Sequence, residues 1–402
     1  MTDRELIRIP VPAGLPGAHA LLTVLPDALA GKGPAIAPVP VVGSTTSQEY
    51  VAAVLDALRP DDKQHPLESE DVALVVSTSG STGSPRGVLL TAGNLAPGTR
   101  AANGSSPHGV QWVCALPVTS IGGLNVLVRS LATGREPIVM ESIGGARPFT
   151  AADFARAVAL AHNHASDVRV SLVPAQLAKL LTDDESIDAL RACTFILVGG
   201  AAIRRSLHHA AMELGIAITA SYGATETAGG CVFDGVPIPG TAVTLHDSRI
   251  LIRGDVVARG YRCDPEKSAL TFGQDGFLSS DFGEIDAEGR LQVLGRIDDI
   301  VVINGVNVSP MAVEHVIADL PDIASAAVVA MADIESEPVL IAFVQVRDSA
   351  STISDAVAEA VAMRLGRVAI PRRIVRVESL PFLPHGKVDR RALLERARAG
   401  DE

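Results

Sequence analysis

The sequence predicts an α/β protein with a large N-terminal α/β domain, a small antiparallel β unit attached to it, and a smaller α+β domain at the C-terminus. Three observations carry this expectation. Short β-rich runs alternate with Ala-rich helical stretches through the first half, the rhythm of parallel strands joined by crossover helices. Near residue 230 the texture changes to short strands separated by Gly, Pro and Asp turns. A chain of 402 residues with 47% hydrophobic content exceeds one ordinary core, so two or three domains are expected.

In chain order, the Pro/Gly-rich first 45 residues read as an irregular lead-in to a strand and a helix. The apolar run 72–76 is a buried strand. A strand at 110–116, a helix at 123–133 and a strand at 137–141 follow. The rhythm repeats as helix 151–165, strand 168–173, helix 176–181 and strand 194–198. The antiparallel unit runs from 243–252 through 291–294. Beyond it come a strand at 300–303, an Asn304-Gly305 turn, a helix opened by Ser309-Pro310, strands at 326–331 and 339–346, and a helix at 354–365. These suffice for a domain of about 100 residues, so the chain divides into 1–295 and 296–402.

Composition excludes several classes of function. A net charge of −12 without a basic stripe argues against nucleic acid as a partner. The mean hydropathy of +0.29 comes from scattered Ala and Val. No run of about 18 apolar residues could span a membrane. The first six residues mix both charge signs, unlike a signal peptide, and Cys114, Cys193, Cys231 and Cys263 lie in neither a disulfide-dense nor a zinc-like spacing. The expected compartment is the cytoplasm.

The chemistry is concentrated in Thr78-Ser-Gly-Ser-Thr-Gly-Ser-Pro-Arg-Gly87, directly after a predicted strand. Gly80, Gly83 and Gly87 let backbone N–H groups converge on an anion. Thr78, Ser79, Ser81 and Thr82 add donors, and Arg86 adds charge, which together suit a polyphosphate. It is not a Walker A loop, because Ser-Pro-Arg-Gly follows Gly83 where Gly-Lys-Ser/Thr would be required.

Five further segments complete the pattern. Val198-Gly-Gly-Ala-Ala202 ends a strand in a glycine turn that a flat ring can approach. Ser221-Tyr-Gly-Ala-Thr-Glu-Thr227 offers an aromatic face, a hydroxyl and a carboxylate fit for Mg²⁺. Ser280-Asp-Phe-Gly-Glu284 places an acid where a ribose diol could be held. Gly295-Arg-Ile-Asp-Asp299 stands at the change of texture, and Leu383-Pro-His-Gly-Lys-Val-Asp-Arg390 carries one lysine on a Gly-bearing loop.

From Asp71 to Leu394 these six segments, in this order, resemble the acyl-adenylate-forming superfamily of acyl-CoA synthetases, peptide-synthetase adenylation domains and luciferases. Within it, the stretch 222–237, Ser171-Leu-Val-Pro-Ala-Gln-Leu177 and the short chain are similar to the o-succinylbenzoate-CoA ligases of actinobacteria, which serve menaquinone biosynthesis. The resemblance implies an ATP-dependent acid-thiol ligase that converts a small carboxylic acid to acyl-AMP and passes it to coenzyme A. It implies that residues 78–87 hold the β- and γ-phosphates, that Gly200, Ala201 and Tyr222 frame adenine, that Thr225 meets the α-phosphate and that Glu226 binds Mg²⁺. It further implies that Asp281 and Arg296 hold ribose hydroxyls and that Lys387 bridges the acid and the α-phosphate. The C-terminal domain would then be mobile, swinging about Asp298 to present the region of Asn304-Gly305-Val306 to pantetheine. A homo-oligomer is compatible with this reading.

Three positions depart from the superfamily pattern: Arg86 stands where lysine is usual, Thr119 where a histidine is usual, and Ala224 where methionine is common. The last two bear on the shape of the acyl pocket. Arg129 is the candidate cation for the second carboxylate of a succinyl chain. Cys231 is expected to pack, and the pairs His162/His164 and His208/His209 to serve surface or structural roles. The alternatives are an adenylating enzyme for another aryl or acyl acid, loading CoA or a carrier-protein thiol, and an inert nucleotide-binding protein. Joint retention of Lys387, Glu226, Asp281 and Arg296 argues against the last.

Overall fold

The computed structural model describes residues 4–43, 46–78, 85–105, 107–145, 147–331, 338–347, 353–381 and 388–399. Ser79, Gly80, Ser81, Thr82, Gly83 and Lys387 lie outside these residues, as does the side chain of Asp298.

Two sheets form the bulk of the N-terminal region. The first runs in the order Leu6–Val11, Ala35–Pro40, Val72–Ser77, Gly87–Thr91 and Gly260–Tyr261. Its first three strands are parallel and the last two antiparallel to their neighbours. The second has parallel strands Thr219–Ala224, Phe195–Gly199, Asp167–Leu172, Val110–Cys114 and Ile138–Val139 side by side. Gly229–Phe233 and Val236–Pro237 extend it antiparallel at one edge.

Alternation of strand and helix therefore reads correctly as parallel β, and helices Ile121–Thr133, Ala151–His162 and Pro174–Leu180 lie where expected. Thr150 caps the second of these by accepting from Asp153 N. Gly123 of the first is forced by contact: a Cβ there would sit 2.3 Å from the Pro117 carbonyl oxygen. One apolar cluster, built around Trp112, Phe154, Leu124 and Leu127, joins both sheets.

The lead-in is more regular than its composition suggests, and that expectation is corrected. It holds strand Leu6–Val11, helix Leu15–Leu29 and strand Ala35–Pro40. Pro10 is tolerated on an edge strand, Pro16 begins a helix, and Pro38 and Pro40 lie beyond the one residue pair, Ile36 and Leu74, that joins their strand to the next. Helices Asp184–Ala192 and Arg205–Glu213 also lie between the expected elements.

The antiparallel unit comprises Thr241–His246, Arg249–Gly254, Gly276–Ile285, Phe272–Gly273 and Leu291–Arg296. The chain turns back at Asp247 and Ser248, both with positive φ. Beyond it lie a hairpin, Val301–Ile303 with Val306–Val308, and a sheet of Ile323–Met331, Val339–Val346 and Arg373–Arg376. Helices Pro310–Ala318, Ile353–Leu365 and Arg390–Ala399 pack with it. Buried apolar residues between 303 and 397 cluster only among themselves. The fold is thus a large α/β part with an antiparallel unit and a small α+β part, as the sequence indicates.

Candidate active site

Strand Val72–Ser77 delivers Thr78 to the start of the glycine-rich segment, and Arg86 brings the chain back. Thr78 N donates to Arg86 O at 2.8 Å, and Arg86 N donates to Thr78 Oγ1 at 3.0 Å, so Thr78 and Arg86 are pinned together. Gly87 begins the returning strand because a Cβ would lie 2.7 Å from the Ala57 carbonyl oxygen.

Across from this neck, strand Thr219–Ala224 runs into the short turn Thr225–Thr227. Gly223 is required there, since a Cβ would lie 2.0 Å from Gly229 O on the neighbouring strand. Thr227 Oγ1 accepts from Ala224 N at 2.9 Å, and Asn125 Nδ2 donates to Ala228 O at 2.8 Å, fixing the turn on both flanks. Thr225 is buried, and Glu226 is half-buried with Oε1 accepting from Tyr261 Oη at 2.9 Å. Its Oε2 has no partner among the described residues.

Tyr222 Oη donates to Asp281 Oδ2 at 2.8 Å, and Arg296 approaches Asp281 Oδ1 at 3.5 Å. Asp281 and Arg296 face each other across strands Gly276–Ile285 and Leu291–Arg296. Burial, and then the Asp281 charge, push the Tyr222 phenol up, so it stays a donor. Gly200, with φ of 81°, turns the chain out of strand Phe195–Gly199, whose Gly199 pairs with Ser221. Gly200 and Ala201 thereby follow directly on the strand next to that of Tyr222. Contacts link Thr78 to Arg86, Arg86 and Glu226 to Tyr261, Tyr222 to Asp281 and Asp281 to Arg296, while Thr225 precedes Glu226 and Gly200 and Ala201 follow the strand beside that of Tyr222.

Arg129 is placed differently. It is 2% exposed on helix Ile121–Thr133, its guanidinium donates to Ser171 Oγ at 3.1 Å, and it lies over the Trp112 ring at 5.2 Å. Nε has no partner, and no carboxylate pairs with it among the described residues. Burial lowers its pKa to about 10, which leaves it protonated at neutral pH. Thr119 is half-buried in the turn before that helix.

Asp389 N donates to Pro381 O at 2.9 Å, and Arg390 bonds Glu314 Oε2 at 2.8 Å and Val328 O at 2.6 Å. Asp298 lies in the turn Ile297–Asp299 that leads out of Leu291–Arg296. Cys231 is buried with its thiol raised to about 11, chiefly by burial, as expected of a packing residue. His209 faces Glu213 on the surface, and His162 Nε2 lies 3.2 Å from Ala192 O.

Sequence reasoning missed Tyr261 as the neighbour of Glu226 and Arg86, and Trp112 and Ser171 as the contacts of Arg129. Tyr261 is one of three tyrosines in the chain, and Trp112 is the single tryptophan; rarity is the only sequence signal they offer.

The sequence pattern of the AMP-binding enzyme family matches residues 18–262, and that of the AMP-binding enzyme C-terminal domain matches residues 312–387. The chain belongs to the AMP-binding enzyme family. Among its relatives there is a probable 2-succinylbenzoate–CoA ligase of Mycobacterium tuberculosis, 37% identical over 392 residues that span 96% of this chain and 97% of the relative. The 2-succinylbenzoate–CoA ligase of Geobacillus kaustophilus is 31% identical, covering 81% of this chain and 69% of its own length. In fold, the family member o-succinylbenzoate CoA synthetase of Bacillus subtilis, solved with its acyl-adenylate intermediate, superposes with a TM-score of 0.71 at 22% identity, covering 97% and 88% of the two chains. No helix among the described residues is long and apolar enough to cross a membrane.

Proposed function

We propose that the chain is an AMP-forming acid-thiol ligase that activates o-succinylbenzoate with ATP and transfers the acyl group to coenzyme A. The observation that carries the substrate is Arg129, a buried cation without a counter-ion among the described residues. Such a charge is costly alone, and a diacid provides a carboxylate for it while the other carboxylate reacts. Identity with the Mycobacterium relative along nearly the whole chain supports the same reading.

In the first half-reaction a substrate carboxylate oxygen attacks the α-phosphorus of ATP, and pyrophosphate leaves. Residues 78–87 with Arg86 hold the β- and γ-phosphates, Thr225 donates to an α-phosphate oxygen, and Lys387 lies between the two anions. Gly200, Ala201 and Tyr222 frame adenine, and Asp281 and Arg296 take the ribose hydroxyls. Glu226 would hold Mg²⁺, and its single carboxylate with a spare oxygen fits an ion that arrives on a nucleotide with most of its ligands. When bound, that ion would neutralise charge on the leaving pyrophosphate. In the second half-reaction the CoA thiolate attacks the acyl carbon and AMP leaves.

We divide the domains at 295/296 and put the hinge at Asp298. Rotation there would bring the hairpin turn at Asn304-Gly305, where Val302 and Val306 are exposed, toward pantetheine. Four free cysteines and the use of ATP and CoA fit the cytoplasm. Light scattering of the purified chain tests self-association as a homo-oligomer.

The test of the reaction is a substrate panel with ATP, Mg²⁺ and CoA. The o-succinylbenzoyl thioester should form with kcat/KM about a hundredfold above that for benzoate or medium-chain monoacids, the margin of one buried charge pair. Equal use of monoacids would overturn the substrate and leave the adenylation chemistry standing.

A further inference from the structure

Tyr261 is reached by none of the roles above, yet it touches two of the residues that carry them. Its phenol donates to Glu226 Oε1 at 2.9 Å. Its ring lies under the Arg86 guanidinium, 5.7 Å from the charge centre to the ring centroid. Glu226 follows a strand of the second sheet, whereas Arg86 directly precedes a strand of the first and Tyr261 lies in another strand of it. One side chain therefore spans the gap between the carboxylate and the phosphate-loop cation.

The surroundings hold Tyr261 still. Strand Gly260–Tyr261 pairs with Gly87–Thr91, placing Tyr261 opposite Val88. Tyr261 N donates to Ser268 Oγ at 2.8 Å, and the ring meets Phe272 edge-on at 5.1 Å. The adjoining Arg262 is buried and bonds Glu68 Oε1, Pro66 O and His65 O, while Arg262 N donates to Gly87 O at 2.7 Å. A cavity of about 200 Å³ opens beside this contact, lined in part by Arg59, Arg86, Tyr261 and Cys263.

A carboxylate that accepts a hydrogen bond on one oxygen is oriented with the other oxygen free for a cation, which is how outer residues tune a metal ligand. A guanidinium over an aromatic face is likewise held in one place. We propose that Tyr261 is a positioning residue that fixes Glu226 and Arg86 relative to each other, so that the nucleotide and its Mg²⁺ are recognised as one unit. This rests on the reading of Glu226 as the metal carboxylate and Arg86 as a phosphate cation.

The experiment is calorimetric titration of ATP into the full chain without acid or CoA, in EDTA and across a MgCl₂ series, for the unmodified chain, Tyr261→Phe, Tyr261→Leu and Glu226→Gln. Tyr261→Phe keeps the ring, so ATP affinity in EDTA should stay within about twofold, while the Mg²⁺ concentration giving half the gain in affinity rises about tenfold. Tyr261→Leu should also weaken ATP in EDTA by about threefold, because Arg86 loses its ring. A Tyr261→Phe chain with an unchanged Mg²⁺ midpoint, beside a shifted Glu226→Gln, overturns the inference and leaves the metal role of Glu226 intact. An unshifted Glu226→Gln removes the metal reading and the coupling with it. Equal loss of affinity with and without Mg²⁺ in Tyr261→Phe, with a lowered Tm, makes Tyr261 a packing residue and also overturns the inference. Because the Phe variant keeps the buried ring, it decides the matter even where the Leu variant fails to fold.

Discussion

Arg129 is held in the core by one hydroxyl and one aromatic face, with Trp112 in turn donating through Nε1 to Asn103 Oδ1 at 2.8 Å. Asn103 Nδ2 donates to Arg129 O at 3.0 Å, closing a ring of contacts around the cation. Removing a buried charge that has no counter-ion among the described residues relieves a desolvation cost, so Arg129→Met should keep or raise the ligand-free Tm. The same variant should raise KM for o-succinylbenzoate by about a hundredfold with little change for benzoate. A lowered Tm with unchanged KM would show that Arg129 serves the fold alone. The residue types of this site were legible in sequence where they sit in a motif, as with Thr225 and Glu226. Tyr261 was not, because its partners Glu226 and Arg86 are far from it along the chain and meet it only through strand pairing within one sheet and packing of that sheet against the other.

At the scale of elements, the turn carrying Thr225 and Glu226 depends on two strands lying closer than side chains allow. Gly223→Ala would drive a Cβ to 2.0 Å from Gly229 O, so it should lower Tm and weaken ATP binding together. Gly109→Ala, with nothing within 4 Å of its Cβ, should change neither and serves as the control. Thermal unfolding with parallel ATP titration checks both; a neutral Gly223→Ala would mean the strands part easily. Parallel strands with Ala-rich crossovers were legible here because burial on both faces leaves continuous apolar runs, as in Val72–Ser77. The strands Leu6–Val11 and Ala35–Pro40 were hidden by prolines, whose effect depends on which N–H groups the sheet needs, a matter of pairing rather than of composition.

At the scale of the whole molecule, Arg204, just before helix Arg205–Glu213, donates to the Ala324 carbonyl on strand Ile323–Met331. The large and small parts thus touch beyond their covalent link. Two half-reactions at one site require that contact to be exchanged for others if the small part rotates. Asp298→Pro should keep ATP–pyrophosphate exchange while CoA consumption falls at least about tenfold, because proline fixes φ near −65° and stiffens the turn Ile297–Asp299. Lys387→Ala should do the reverse, losing exchange while supplied acyl-AMP still reacts with CoA. Equal loss of both activities in either variant would overturn the division of labour. The sequence by itself determined the family and the alternation of strand and helix from Val110 to Gly199, because each rests on residues adjacent in the chain. Only the tertiary structure decided that Arg129 is a buried cation without a counter-ion among the described residues, that Tyr222 bonds Asp281, and that Tyr261 joins Glu226 to Arg86. Burial and contact across sheets arise from how distant strands pack, and no local spacing encodes them.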